Sequence, residues 1–464
     1  MIRWIVLSGL GHAIVVALGL LLYVLGTRIG HQRRHPSAAL GWVLGMLTLP
    51  YLTIPLFLFF GSRKLVRPRH RAPVPVHHPV AGAPAWATQL LAGLELPPAQ
   101  PNVRIALHAD GGQALAGLLA TIDGAVHQLD VCTYVLASDA TGRQVAQALA
   151  AAAARGVQVH LLIDAMGSLL VGRRLLRELR AAGVHVRRFM PLLHNPLHGR
   201  TNLRNHRKLV VADGRRLWSG GRNLACEYFV DRPNRPAWVD LSFEIDGPVA
   251  RQAHVQFLTD WRTARGLMLR RMRRVDQLPD AGAPRTGALA QWLPSGPDHA
   301  DDTLHALLLA GAWHAQRRIW LVTPYFVPDD ALLDAWCLAC RRGVDLQLVL
   351  PRRSNHRLAD MARERALRQL ASAGARVWLS PAMVHAKAVL IDDQLALCGS
   401  LNLDARSLFL NYEAMTAFYG PAQVGWLAGW IDALRTGAQP YEARRPSWSR
   451  DIAEGVVRAV GFQL

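Results

Sequence analysis

The chain opens on two apolar runs. Residues 4–26 hold no Lys, Arg, Asp or Glu across 23 positions, and at ~1.5 Å rise per residue a helix of that length matches the roughly 30 Å hydrocarbon core of a bilayer. A second uncharged run covers residues 36–62 and contains Pro50 and Pro55; proline is tolerated in a membrane helix where neighbours satisfy the freed carbonyls, so the pattern predicts a kinked second span. A cleaved signal peptide fits poorly, because the first run is too long and lacks an Ala-x-Ala site. The expectation is a membrane anchor over residues 1–65 built as a transmembrane helical hairpin. Residues 66–101 are rich in proline and alanine and predict an extended linker.

Beyond the linker the pattern repeats. VCTYVLASD leads through an alanine-rich helical stretch to RGVQVHLLID, and VTPYFVPDD leads through a second helical stretch to RGVDLQLVLP. Strand, helix, strand with Arg-Gly-Val at the helix exit predicts βαβ units and a parallel or mixed sheet covered by helices. A repeat this long is a duplicated domain rather than a solenoid. The expected class is α/β, with two tandem βαβ-rich domains over residues 102–275 and 291–464. A linker without periodicity joins them over residues 276–290. In the last segment Ile452, Val456 and Val460 fall at helical spacing one turn after Trp448, which predicts a helix docked on the body by that apolar face.

Charge adds a partner to this picture. Lys and Arg outnumber Asp and Glu 53 to 33, for a net charge of +20, so the expected partner is anionic: nucleic acid, acidic lipid or both. For a hairpin, Arg28, Arg33 and Arg34 lie in the connecting loop, whereas Arg3, Arg63, Lys64, Arg67, Arg69 and Arg71 lie on the other side. The positive-inside rule then favours a multi-pass protein of the cell membrane with a cytoplasmic body and the short loop outside, its basic segment lying on the anionic leaflet. The cluster LRRMRRV at residues 269–275 is either a lipid contact or a solvated helix end. Five cysteines without framework spacing point to a reduced compartment, and Cys337 and Cys340 to core packing.

The chemistry lies in a second repeat. HxKxxxxD occurs as HRKLVVAD at residues 206–213 and as HAKAVLID at residues 385–392, followed by GGRN ending at Asn223 and GSLN ending at Asn402. Alternation along a strand puts His206 and Lys208 on one side, and likewise His385 and Lys387. Two imidazoles suit a phosphodiester reaction, one attacking phosphorus and the other protonating the leaving alkoxide, with roles reversed for the incoming alcohol. Two lysines and two asparagines would spread positive charge and donors over the non-bridging oxygens, the stabilisation a metal gives elsewhere. No metal or other cofactor is therefore expected. Asp213 and Asp392 differ in parity from their histidines and begin turns, which gives them a share in holding the hairpins. Each imidazole also needs an acceptor on its other nitrogen. The candidates are Glu413 for His206 and Asp240 for His385, a cross-pairing that would lock the halves into one site, with Glu227 and Glu244 as rivals. His194, His198, Arg200 and Arg204 precede the first motif strand, and Arg352, Arg353 and His356 follow LVLP in the second half. Arg200 and Arg204, with Tyr134 and Tyr325 in the corresponding strands, are candidate substrate contacts.

With both motifs placed, the chain resembles the phospholipase D superfamily and within it the bacterial cardiolipin synthases. The likeness runs through FFGSRK, LRNHRKLVVADG, SGGRN, FEIDGPV, SGP at residues 295–297, TPYFVPDD, VHAKAVLIDD and GSLNLDARSLFLNYE. It implies conversion of two phosphatidylglycerol molecules to cardiolipin and glycerol through a phosphatidyl-histidine intermediate without a metal. It also implies that His206, Lys208, Asp213, His385, Lys387 and Asp392 are the motif residues and that the first histidine is the nucleophile. The first turn departs from the pattern: Gly221 stands where Ser400 stands in the second copy, and lacks a hydroxyl to assist at the phosphate. Open alternatives are a hydrolytic phospholipase D, a synthase with phosphatidylethanolamine as donor, a membrane-bound nuclease and a catalytically silent scaffold for anionic lipid. The two spans argue against the nuclease, so no nucleic acid is expected. Nothing in the sequence fixes the oligomeric state.

Overall fold

The computed structural model describes residues 2–29, 36–61, 63–64, 80–191, 201–233, 235–264 and 286–460. Two mixed sheets carry the body. The first runs in the spatial order Arg104–His108, Ser242–Asp246, Arg216–Gly220, Leu209–Ala212, Gln128–Thr133, Gln158–Asp164, His185–Phe189. The second repeats that order with Ala288–Ser295, Glu413–Phe418, Leu395–Gly399, Ala388–Ile391, Arg318–Val322, Asp345–Pro351 and Arg376–Ser380, and adds an edge strand on each side, Gln100–Asn102 and Gln439–Pro440. In both, the βαβ strands pair in parallel and the hairpin strands antiparallel. The helices between the parallel strands end where Arg-Gly-Val places Gly156 and Gly343 at φ +90, a left-handed turn that glycine enters without a Cβ clash.

The halves pack through a shared core. Leu209 and Val211 of the first motif strand and Ala388 and Leu390 of the second belong to one buried cluster with Trp292 and Phe257, and Phe243 meets Phe418 edge-on at 5.3 Å. The alternate residues Val210 and Ala212, and Val389 and Ile391, face the outer helices of their own halves. Both motif strands are thus buried on two faces, which explains their unbroken apolar runs.

Three expectations change. The stretch taken as an extended linker contains the helix Ala85–Gly93, whose Ala87 and Leu91 are buried in the core of the second half. There Trp86 stacks on His314 at 5.2 Å, while Gln100–Asn102 pairs with the strand Ala288–Ser295. That strand also begins inside the stretch expected to join the domains; residues 265–285, with the LRRMRRV cluster, lie outside the described residues. The last helix, Trp448–Val460, does pack on the body, but by a polar contact: Glu454, buried, accepts from Arg368 at 2.6 Å, whereas Trp448 and Ile452 are exposed.

The second apolar run does not form one kinked helix long enough to match the expected second span. It forms two short helices, Pro36–Thr48 and Pro50–Phe60, and one helix in the described residues, through Gly9–Thr27, is long and apolar enough to cross a membrane. Hydropathy cannot separate a kinked span from a chain that doubles back. Nor do Arg63 and Lys64 lie free against a leaflet. Arg63 Nη2 is 2.5 Å and Lys64 Nζ 2.9 Å from the Asp302 carboxylate, and Lys64 also donates to the Gly296 carbonyl. Arg67, Arg69 and Arg71 lie outside the described residues.

Candidate active site

Each motif histidine sits just before its strand and is held by the other half. Across the junction His206 N–H donates to Tyr412 O at 2.9 Å, and His385 N–H to Val239 O at 2.7 Å. The side chains cross in the same sense. His206 Nδ1 lies 3.0 Å from Glu413 Oε2 and 3.1 Å from the Ser400 carbonyl, and His385 Nδ1 lies 2.7 Å from Asp240 Oδ2. Carboxylates and carbonyls only accept, so Nδ1 carries the proton in both rings and Nε2 carries the lone pair. The rivals are occupied elsewhere, Glu244 with His108 at 2.9 Å and Glu227 near Arg232.

The lysines converge on the same place. Lys208 Nζ donates to the His206 carbonyl at 2.7 Å. Lys387 Nζ donates to the His385 carbonyl and lies 3.0 Å from its Nε2 and 2.8 Å from its Nδ1. Burial pushes Lys208 down to about 7 and Lys387 down to about 8, with Glu413 and Asp240 pulling the other way. Burial also lowers His206, against the pull of Glu413, and takes His385 to about 3 with help from Lys387. For the carboxylates burial alone would raise the pKa, but their imidazole partners outweigh it, holding Glu413 below its ordinary value and Asp240 at about 2. The site is therefore a pair of neutral imidazoles on ionised carboxylates beside two easily discharged ammonium groups. An anionic phosphate placed among them favours the protonated form of every base.

The two asparagines differ. Asn223 Nδ2 donates to the Tyr228 hydroxyl at 2.8 Å and its Oδ1 accepts from Val135 N–H, so most of its amide is committed to protein. Asn402 has a buried Oδ1 with no hydrogen-bond partner among the described residues. Tyr134 stands edge-on to His206 at 5.0 Å, whereas Tyr325 donates its hydroxyl to Asn355 at 2.6 Å.

Four expected site residues stand apart from the imidazoles or outside the described chain. Asp213 accepts from the backbone N–H groups of Val126, His127 and Gln128 at 2.8–2.9 Å, and Asp392 from those of Gln316, Arg317 and Arg318. Both cap the far end of a motif strand, because a short carboxylate at a left-handed turn (φ 52 and 51) reaches the neighbouring strand's first amides. Arg204 is buried with Asp164, the Met190 carbonyl and the Thr201 carbonyl, a structural position rather than a head-group contact. Arg200 lies outside the described residues with His194 and His198.

Sequence reasoning missed Arg207, between the first histidine and lysine. It is fully buried, donates to the Glu413 and Ser295 carbonyls at 3.0 Å, and contacts Asp260 and Asp298. It also missed Tyr228 and Trp238, whose rings lie 5.0 and 5.4 Å from the His385 ring. Little in the sequence signals Arg207, which stands among Arg204, Asn205, His206 and Lys208; only distant anion partners make its burial tolerable.

Comparison with known proteins places this geometry in a family. A family model described as cardiolipin synthase, PLD-like domain, matches residues 118–261 and 309–435, one segment in each half. Cardiolipin synthase A of Pseudomonas entomophila is 32% identical over 400 residues, 82% of either chain. Cardiolipin synthase 1 of Bacillus anthracis is 29% identical over 412 residues, 84% of this chain and 81% of its own. Among solved structures, phosphatidylserine synthase of Haemophilus influenzae has the same fold, with a TM-score of 0.62 at 15% identity, covering 82% of this chain and 100% of that one. The duplicated halves, the paired HxK strands and the matches over most of the length agree: this chain belongs to the cardiolipin synthase family of phospholipase D-like proteins.

Proposed function

We propose that the protein is a cardiolipin synthase that moves a phosphatidyl group from one phosphatidylglycerol to another through a phosphohistidine on His206. The observation that supports this reading is the cross-pairing of His206 with Glu413 and of His385 with Asp240, each imidazole backed by a carboxylate from the other half. His206 Nε2 makes no hydrogen bond within the described residues, which suits the nucleophile; its lone pair attacks phosphorus as the bond to the glycerol oxygen breaks. His385, brought to its protonated form by the charge of the bound phosphate and backed by Asp240, is the acid that protonates the departing glycerol. In the second half-reaction the neutral His385 takes a proton from the hydroxyl of a second phosphatidylglycerol. That oxygen attacks phosphorus, and the P–N bond breaks to restore His206. Lys208, Lys387 and Asn402 hold the non-bridging oxygens. Phosphatidylglycerol and other anionic lipids are the partners, and the cell membrane is the site of action, with the body on its cytoplasmic face.

Vesicles of phosphatidylglycerol labelled in the terminal glycerol test this directly. The full chain is expected to release one glycerol per cardiolipin. His206→Ala should fall to background and His385→Ala by at least ~10²-fold, the scale of a lost general acid and base. Phosphatidic acid as the sole product, product formed only when phosphatidylethanolamine is added, or parent-level activity in either variant would sink the reading.

A further inference from the structure

The anchor's three helices can be ordered by what touches what. His12 faces Tyr51 with ring centroids 5.8 Å apart, and Tyr23 faces Phe57 at 5.6 Å. Between them a Cβ on Gly19 would stand 2.9 Å from the Ile54 side chain. Rising numbers on both sides make Pro50–Phe60 run parallel to Ile2–Val24. The helix Pro36–Thr48 runs the other way: Gly45 lies against Thr53, and Trp42 meets the Phe57 ring at 5.2 Å. In one continuous helix Trp42 and Phe57 would be ~22 Å apart. The chain therefore reverses at Leu49–Pro50, and it leaves the third helix at the end where the first helix finishes. There Arg63 and Lys64 fasten it to Asp302 of the body.

We infer that the anchor crosses the bilayer once and that residues 36–60 form a re-entrant hairpin in the leaflet facing the body, with the N-terminus on the opposite side of the membrane. Length agrees. The first helix has 23 residues, ~35 Å, whereas the arms have 13 and 11 residues, ~20 and ~16 Å, short of the roughly 30 Å core.

A turn inside hydrocarbon must satisfy its own backbone, and this one is built to do so. Leu49 N–H bonds Gly45 O at 2.8 Å, and the Leu52 and Thr53 N–H groups bond Leu49 O at 3.1 and 2.9 Å. Thr48 Oγ1 returns to Leu44 O, and Pro50 has no N–H to satisfy. The surface around the tip is apolar and open, with Leu47, Leu49 and Leu52 exposed, as acyl chains require. Charge agrees as well. With this path Arg28, Arg33, Arg34, Arg63, Lys64, Arg67, Arg69 and Arg71 share the body's side and Arg3 stands alone on the other, a stronger positive-inside bias than a hairpin of two spans gives.

Sidedness decides between the two paths. The full chain carrying one epitope tag at its N-terminus and another at its C-terminus is expressed in a Gram-negative host without its own cardiolipin synthase, where cardiolipin formation reports folding. External protease on intact spheroplasts is expected to remove the N-terminal tag and leave the C-terminal tag until lysis. Independently of any tag, Ala38→Cys in a Cys340→Ser background is expected to react with an impermeant maleimide only after lysis. Tags that are cleaved together or protected together would overturn the inference, as would Ala38→Cys labelling in intact spheroplasts.

Discussion

Gly221 and Ser400 occupy equivalent turns, and the carboxylate facing each decides which residue fits. Ser400 spends its hydroxyl on Glu413 and on the Ala414 carbonyl, so it supports the carboxylate behind His206 and does not reach for phosphate. At Gly221 the shorter Asp240 comes in so closely that a Cβ would lie 2.1 Å from its Oδ1. The missing hydroxyl is thus space taken by the carboxylate, a fact hidden from sequence because it depends on a contact between distant residues. Restoring the pattern should do harm: Gly221→Ser displaces a buried Asp240 that holds His385 at 2.7 Å. Cardiolipin formation is expected to fall ~10²-fold or more, toward the level of losing His385 itself. Ser400→Gly, which removes one of several contacts to Glu413, should cost ~10-fold or less, as befits one net hydrogen bond to a charged group of ~1.5 kcal/mol. Vesicle assays of both variants check the order, and a Gly221→Ser enzyme as active as the parent would remove this account.

Among the elements, the two motif hairpins separate the aspartates from the histidines of the same repeated string. Asp213 stands seven residues after His206 in an identical motif position to Asp392, yet both serve the strand's opposite end. Asp213→Ala loses acceptors for three N–H groups and leaves alanine at φ 52. It should lower stability by ~1–2 kcal/mol, the scale of a lost cap. Asp213→Asn, which tolerates the left-handed turn and keeps one oxygen, should lose less. Chemical denaturation gives the order, and activity of the folded fraction should stay within ~10-fold of the parent; loss as complete as that of His206→Ala would place Asp213 in the chemistry. The βαβ units and the duplication were legible because periodicity and the Arg-Gly-Val exits are local. The Ala85–Gly93 helix was not, since its apolar face makes sense only against the Thr303–His314 helix, and proline on both sides imitates a linker. The reversal at Leu49 escaped for the same reason: a hydropathy window counts apolar residues and is blind to Trp42 meeting Phe57.

Across the whole molecule, Arg207 ties the halves together where they share the site. Its guanidinium reaches Asp260 of the first half and Asp298 and the Glu413 carbonyl of the second, so the strand that presents His206 is fixed to the strand that presents its carboxylate. The cross-pairing of histidines was legible in the sequence because one site from two halves demands it. This deeper ion network was not, because nothing local marks Asp260 and Asp298 as buried. Burial pushes Asp260 up to about 6, against Arg207 and with Asp298 nearby, while Arg207 holds Asp298 below its ordinary value against burial. Arg207→Met would leave two carboxylates without their cation in a dry interface, a loss on the scale of ~3–5 kcal/mol for one broken buried pair. Without the guanidinium both carboxyls shift above their unfolded values near ~4, so the folded variant binds more protons than the unfolded chain between that value and the raised one. The contribution of these two carboxyls to stability is then greatest below pH ~4 and is lost as pH rises through the raised values. The gap in melting temperature between parent and Arg207→Met should accordingly be small near pH 4 and widen toward pH 7. A gap independent of pH would mean that Arg207 acts through packing alone, and that the charge network is not what binds the halves.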